Sequence, residues 1–268
     1  MKIAANGIRI NIRERGAGER ALVFLHYWGG SSRTWNGVTS ELSKGYRTIA
    51  TDHRGWGESE APRDGYRISD LADDAHGVIE VLNLKSYVVI GHSMGGKTAK
   101  MLAARRPDGL KGLVLVAPSP PSPLAIPDEQ IEAMTHAYDS REAVSFVVDN
   151  VLTGSPLTDA SREQVIEDSI RGAPQSKIAW PRVALREDIG DVSTINVPTL
   201  IIAGELDKVD PPEVLKREVL PRIPRARTIT IPGVGHLSPL EAPSTLSNAI
   251  RAFVQEVFSG EVRQTVAR

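Results

Sequence analysis

The chain has 268 residues, a formal net charge of -1 and 41% hydrophobic content, which suits one large soluble domain with room for an insertion. Its 32 basic residues nearly balance 33 acidic ones, so there is no electrostatic reason to expect nucleic acid or an anionic membrane as partner. The lack of cysteine excludes disulfides and thiolate zinc sites.

In chain order, IRINIRERG from Ile8 reads as an alternating edge strand. Strand-type runs follow at Ala21–His26, Tyr46–Asp52, Tyr87–His92, Gly112–Pro118, Pro198–Gly204 and Ala226–Pro232. From the third run onward they are rich in Val, Ile and Leu without strict alternation, as strands covered on both faces are, so the expected class is α/β: a mostly parallel sheet flanked by helices. None is long enough to span a bilayer. The N-terminal stretch alternates and carries charge, unlike a secretory signal, and the cytoplasm is the expected location. Helices are expected at Ile68–Leu82, Gly95–Arg105, Glu213–Val219 and Pro243–Phe258, the last with Pro at its start and an apolar stripe. Between Ser119 and about Ile195 the alternation stops. A proline-rich exit, SPPSPLAIP, leads into helical sequence with no convincing strand. The expected organisation is a core of residues 1–118 and 196–268 with a helical cap inserted at 119–195.

The stretch IGHSMGGKT (Ile90–Thr98) satisfies two incompatible patterns. As G-x-x-x-x-G-K-T it is a phosphate loop, with Lys97 for phosphates and Thr98 for magnesium. As G-x-S-x-G it is a sharp strand-to-helix turn that presents Ser93, with the backbone N–H of Met94 facing a developing oxyanion. The serine reading requires three further groups in order, and all are present. Asp207 follows the strand ending at Gly204, His236 follows the last strand, and the loop after the early strand offers the Trp28 backbone N–H as second donor. The phosphate loop finds only Asp52 as a metal anchor. The serine reading therefore prevails.

With Ser93, Asp207 and His236 in that order, the chain resembles the α/β-hydrolase-fold serine hydrolases, esterase-like and with a helical cap. The resemblance runs from Ile8 to Phe258 and includes DHRGWGES (Asp52–Ser59), similar to the family's D-x-R-G-x-G-x-S loop. GHSMGGK itself occurs in esterases of this family. One departure is Tyr27, after His26, where the family usually has Gly. The resemblance implies hydrolysis of a small to medium carboxylic ester (alternatively a lactone or thioester) through an acyl-enzyme, without metal or organic cofactor. A serine nucleophile argues against the haloalkane dehalogenases and epoxide hydrolases, which use Asp there. Perhydrolase (cofactor-free haloperoxidase) and C–C hydrolase activity use the same triad and stay open. So does a small-molecule receptor with slow turnover.

Each residue also has a plainer reading. Asp210 competes with Asp207 as the acid, but it precedes Pro211-Pro212 and is expected to cap the next helix. His92 is expected either to pack beneath the turn or to border the pocket, and His26 to hold its loop. His53, His76 and His136 lack metal-ligand spacing and are expected at the surface or in satisfied polar contacts. Asp52 and Arg54 are expected to stabilise their loop. GAGERA (Gly16–Ala21) matches a dinucleotide pattern by letter but precedes its strand, so it is a turn. The cap's apolar residues, with Tyr27, Met94 and Leu237, are expected to line an apolar pocket. From the cap these are Met134, Phe146 and Trp180.

Overall fold

The computed structural model describes residues 1–260. Eight strands form one sheet in the order β1-β2-β4-β3-β5-β6-β7-β8. They are β1 (Lys2–Ala5), β2 (Ile8–Arg15), β3 (Arg20–Leu25), β4 (Arg47–Thr51), β5 (Ser86–His92), β6 (Leu110–Val116), β7 (Thr199–Gly204) and β8 (Ala226–Ile231). From β4 to β8 every pairing is parallel, whereas β1–β2 and β2–β4 are antiparallel. Two expectations need correcting. The run from Ile8 is not an edge, because β1, too short to stand out in the sequence, pairs along it. The last strand is not covered on both faces: β8 is the other edge and only Ile231 is buried.

In the central strands successive side chains enter opposite layers. Val23, Leu25 and Val89 join one core, under α2 (Ile68–Val81), α3 (Met94–Ala104) and α8 (Pro212–Glu218). Leu22, Phe24, Val88 and Ile90 join the other, under α1 (Asn36–Leu42) and α10 (Pro243–Ser259). The segment between β6 and β7 contains helices α4 (Asp128–Thr135), α5 (Arg141–Val147), α6 (Asp159–Arg171) and α7 (Pro174–Arg182) and no strand. Its two ends are stitched together, Leu124 N–H to Leu185 O and Ile189 N–H to Pro121 O. A short α9 (Ser238–Glu241) leads into α10. Among the described residues no helix is long and apolar enough to cross a membrane.

Candidate active site

Ser93 joins β5 to α3 with φ +53° and ψ -113°, a region a side chain enters at a cost of about 1–3 kcal/mol. The turn survives because its neighbours are glycines. A Cβ at Gly91 would strike the Gly95 carbonyl, and one at Gly95 would strike the carbonyls of Leu25 and His26. The Ser93 N–H is used by Val116 O at 3.0 Å, and its carbonyl accepts from Lys97 N–H at 3.0 Å. Met94, as the first helical residue, has an N–H with no partner inside the helix.

Asp207 and His236 sit in the loops after β7 and β8. His236 Nδ1–H donates to Asp207 Oδ2 at 2.9 Å, with both side chains buried. The other carboxylate oxygen, Oδ1, accepts from the N–H groups of Val209 (2.8 Å) and Asp210 (3.0 Å). Burial alone would raise the Asp207 pKa, but the charge and hydrogen bond of His236 and these two amides hold it below the usual carboxylate range. For His236, burial works against the charged form; the Asp207 carboxylate outweighs it, with Asp210 and Glu241 adding, so its pKa lies above that of ordinary imidazole. With Nδ1 protonated, Nε2 is the basic nitrogen.

Several bonds dock the His236 loop. His92 Nε2–H donates to the His236 carbonyl at 2.8 Å, which ties this loop to the residue preceding Ser93. The His236 N–H donates to Leu152 O at 2.9 Å. Glu241 accepts from Gly235 N–H (3.0 Å) and from Gly154 N–H (2.8 Å), so one carboxylate bridges this loop to the inserted segment.

In the early loop, His26 Nδ1–H donates to Tyr27 O (2.7 Å), and His26 Nε2 accepts from His53 N–H (3.0 Å). Burial pushes the His26 pKa down to about 4 despite the nearby Asp52 charge, so the ring is neutral. His53 is buried, unlike a surface histidine, and donates to His26 O. Asp52 accepts from Ser32 N–H, Asn11 Nδ2 and Glu58 N–H. Arg54 grips Asp74 through Nε and Nη2. Both thus hold loops, as expected from their positions.

A sequence model described as alpha/beta hydrolase fold matches residues 20–146. The chain superposes on an esterase from Exiguobacterium antarcticum with a TM-score of 0.87 at 24% identity, covering 95% of this chain and 98% of that one. The chain has the α/β-hydrolase fold. Its relatives include a 2-(acetamidomethylene)succinate hydrolase from Mesorhizobium japonicum, 27% identical with 92% of each chain covered. Another is a bifunctional esterase/perhydrolase from Acinetobacter calcoaceticus, 25% identical over 93% of this chain and 97% of that one.

Other expectations for the site need revision. Asp210 does not cap α8, whose N-cap is Pro211 without a side-chain bond. The Asp210 carboxyl is buried and makes no hydrogen bond among the described residues; burial, aided by the Asp207 charge, pushes its pKa up to about 7 against the pull of His236, Lys100 and Lys97. Phe146 is 64% exposed and does not line a buried pocket, because its side of α5 faces solvent. His92 is wholly buried, with rings of Tyr27 and His236 at 5.1 and 5.0 Å. Met134 is partly buried against the main core, and Trp28, Trp180 and Leu237 are buried. Met94 and Trp180 border a cavity of about 10 Å³ with Arg54, Trp56 and Ser176, enough for about one water.

Sequence reasoning missed Glu241, which looks like an ordinary helix residue. It also missed that Lys97 and Lys100 are fully buried, donating to Ala184 O and Ser119 O. The amphipathic signal could not mark two lysines as interior.

Proposed function

We propose that the protein is a serine hydrolase that cleaves carboxylic esters of small to medium size through an acyl-enzyme. The observation that carries this reading is the buried His236–Asp207 hydrogen bond, which leaves His236 Nε2 basic on a loop docked to the residue before Ser93.

In this reading His236 takes the Ser93 hydroxyl proton as Oγ attacks the ester carbonyl. The tetrahedral oxyanion is held by the Met94 and Trp28 N–H groups, each worth about 3 kcal/mol in comparable enzymes. His236 then protonates the leaving alkoxide, and the C–O bond breaks. Water, deprotonated by the same nitrogen, attacks the acyl-enzyme and releases the acid and Ser93. Asp207 orients the ring and balances its charge without taking the proton. Residues 119–195 form a cap, and Tyr27, Trp28, Met94, Met134, Trp180 and Leu237 bound an apolar acyl pocket beneath it.

The esterase/perhydrolase relative supports a second reading in which hydrogen peroxide replaces water as acyl acceptor and a peracid leaves. Adding peroxide to an ester assay and measuring peracid separates the two.

The deciding experiment is covalent labelling with a fluorophosphonate, together with turnover of p-nitrophenyl esters of increasing acyl length. Wild-type protein should be labelled at Ser93, and Ser93→Ala should abolish labelling and lower kcat by about four or more orders of magnitude. Labelling that persists in Ser93→Ala would mean the nucleophile lies elsewhere. Stoichiometric labelling without turnover of any ester would point to a receptor.

A further inference from the structure

Tyr27–Gly30 is a tight turn, closed by Gly30 N–H to Tyr27 O at 3.0 Å, with Gly29 at φ +96° in its third position, as a type II turn requires. The Tyr27 carbonyl also accepts from His26. With that carbonyl doubly held, the N–H across the same planar peptide, that of Trp28, is directed the opposite way. The Trp28 N–H has no hydrogen-bond partner among the described residues.

The inserted segment grips the rest of this turn at consecutive points. The buried Tyr138 hydroxyl donates to Trp28 O at 2.9 Å, and the buried Ser169 hydroxyl on α6 donates to Gly29 O at 3.0 Å. Asp168 accepts from Ser31 Oγ at 2.8 Å and from both Nε and Nη2 of Arg33. From the other side, Trp28 Nε1–H donates to Lys177 O at 3.1 Å, while Lys177 Nζ donates to Tyr138 O at 2.9 Å. The Tyr138 ring packs on Trp28 with centroids 4.3 Å apart. It fills the space that a side chain at position 29 would need.

Packing alone would join an insertion to a core through apolar contacts. Here polar side chains from the insertion satisfy the carbonyls of two successive turn residues. The Trp28–Gly29 peptide adjoins a glycine that offers little resistance to rotation, and the Tyr138 hydroxyl is the group that holds it. We propose that Tyr138 and Ser169 are positioning residues for the Trp28 N–H, so that the insertion sets how well the oxyanion is stabilised and does more than wall the substrate. This rests on the serine-hydrolase reading, in which that N–H faces the oxyanion. A donor must sit within about 2.7–3.1 Å of the oxyanion to act, so a small shift of the turn is costly in rate and nearly neutral for ground-state binding.

The test uses Tyr138→Phe, which keeps the ring, and Ser169→Ala, with Phe146→Ala as a control on an exposed position of the same segment. Both positioning variants should lose about tenfold in kcat, by the same factor on short and medium acyl esters, with KM within about twofold of wild type. Phosphonylation of Ser93 should slow in parallel, because the phosphonyl oxygen occupies the same place. Ser169→Thr, which restores a hydroxyl, should recover most of the rate. Should Tyr138→Phe fail to fold, the Ser169 pair carries the same readouts. A kcat within about twofold of wild type in folded variants, or a loss confined to KM or graded with acyl length, overturns the proposal. If the variants label at the wild-type rate while wild type labels normally, this inference alone falls. If wild type is not labelled at Ser93, the serine-hydrolase reading falls and takes this one with it.

Discussion

The sheet and the inserted segment hold the candidate site by different means. The sheet works through backbone: strand ends place Ser93, Asp207 and His236, and the amide of Ser93 is fixed by Val116 in the neighbouring strand. The insertion works through side chains that reach core backbone, as Tyr138 and Ser169 do, and through a bridging carboxylate, Glu241, that reaches back from the core. Backbone pairing depends on pattern and tolerates substitution. Side-chain anchoring depends on single hydroxyls and carboxylates, and each can be removed alone. The sheet should therefore govern whether chemistry occurs, and the insertion how fast and on what.

The sharpest way to break this division is at the acid. Asp207→Asn should lower kcat by about four orders of magnitude, since it disturbs the imidazole tautomer, whereas Asp210→Asn should cost about tenfold or less because Asp210 makes no bond to the ring. Reversal of that order in a kinetic comparison would make Asp210 the acid. The His236–Asp207 pair should govern pH dependence. In the proposed reaction His236 acts as a base only when neutral, and its pKa is raised by Asp207. As pH rises, kcat/KM should increase through an apparent pKa above the ordinary value of about 6.5. A limb centred below that value would contradict the ion pair.

A smaller effect is expected in the insertion. Met134 is only partly buried against the core, and Met134→Ala should change the ratio of kcat/KM between short and medium acyl esters by about three- to tenfold. Reactivity toward a small phosphonate should change much less. If the acyl-length profile is untouched while the melting temperature drops, Met134 packs without selecting substrate.

The smallest effect concerns Lys97. Its ammonium is buried with one carbonyl partner, and burial lowers its pKa to about 8 although Glu187, Asp188 and Asp210 pull the other way. Lys97→Met should leave ester turnover within about twofold and raise thermal stability, because an under-solvated charge is replaced by an apolar chain of similar length. Magnesium-ATP should show no heat of binding to either form. Micromolar binding lost in the variant would restore the phosphate-loop reading.

Much of this was legible in the sequence for a physical reason. Parallel central strands bury both faces, so β3 and β5 to β7 stand out as apolar runs, and the elbow glycines are demanded by steric contact at Gly91 and Gly95. The edges were less legible: β1 has four residues, and in half-exposed β8 only the Arg and Thr residues of ARTITI hint at exposure. In the insertion, helices were recognisable but their facing was not, and Phe146 points outward while Tyr138 points in. Hydrogen bonds across long sequence separations, such as Ser169 to Gly29, leave no periodic trace.

The backbone of Ser93 carries an evolutionary corollary. Its positive φ costs a serine free energy that a glycine would not incur. Mutating Ser93 to Gly would thus discard the hydroxyl and gain stability in one step, so selection for foldability alone would drift toward a sturdier chain without the proposed nucleophile. The serine persists only while something outside folding rewards it. A Ser93→Gly protein that melts no higher than wild type would deny this trade.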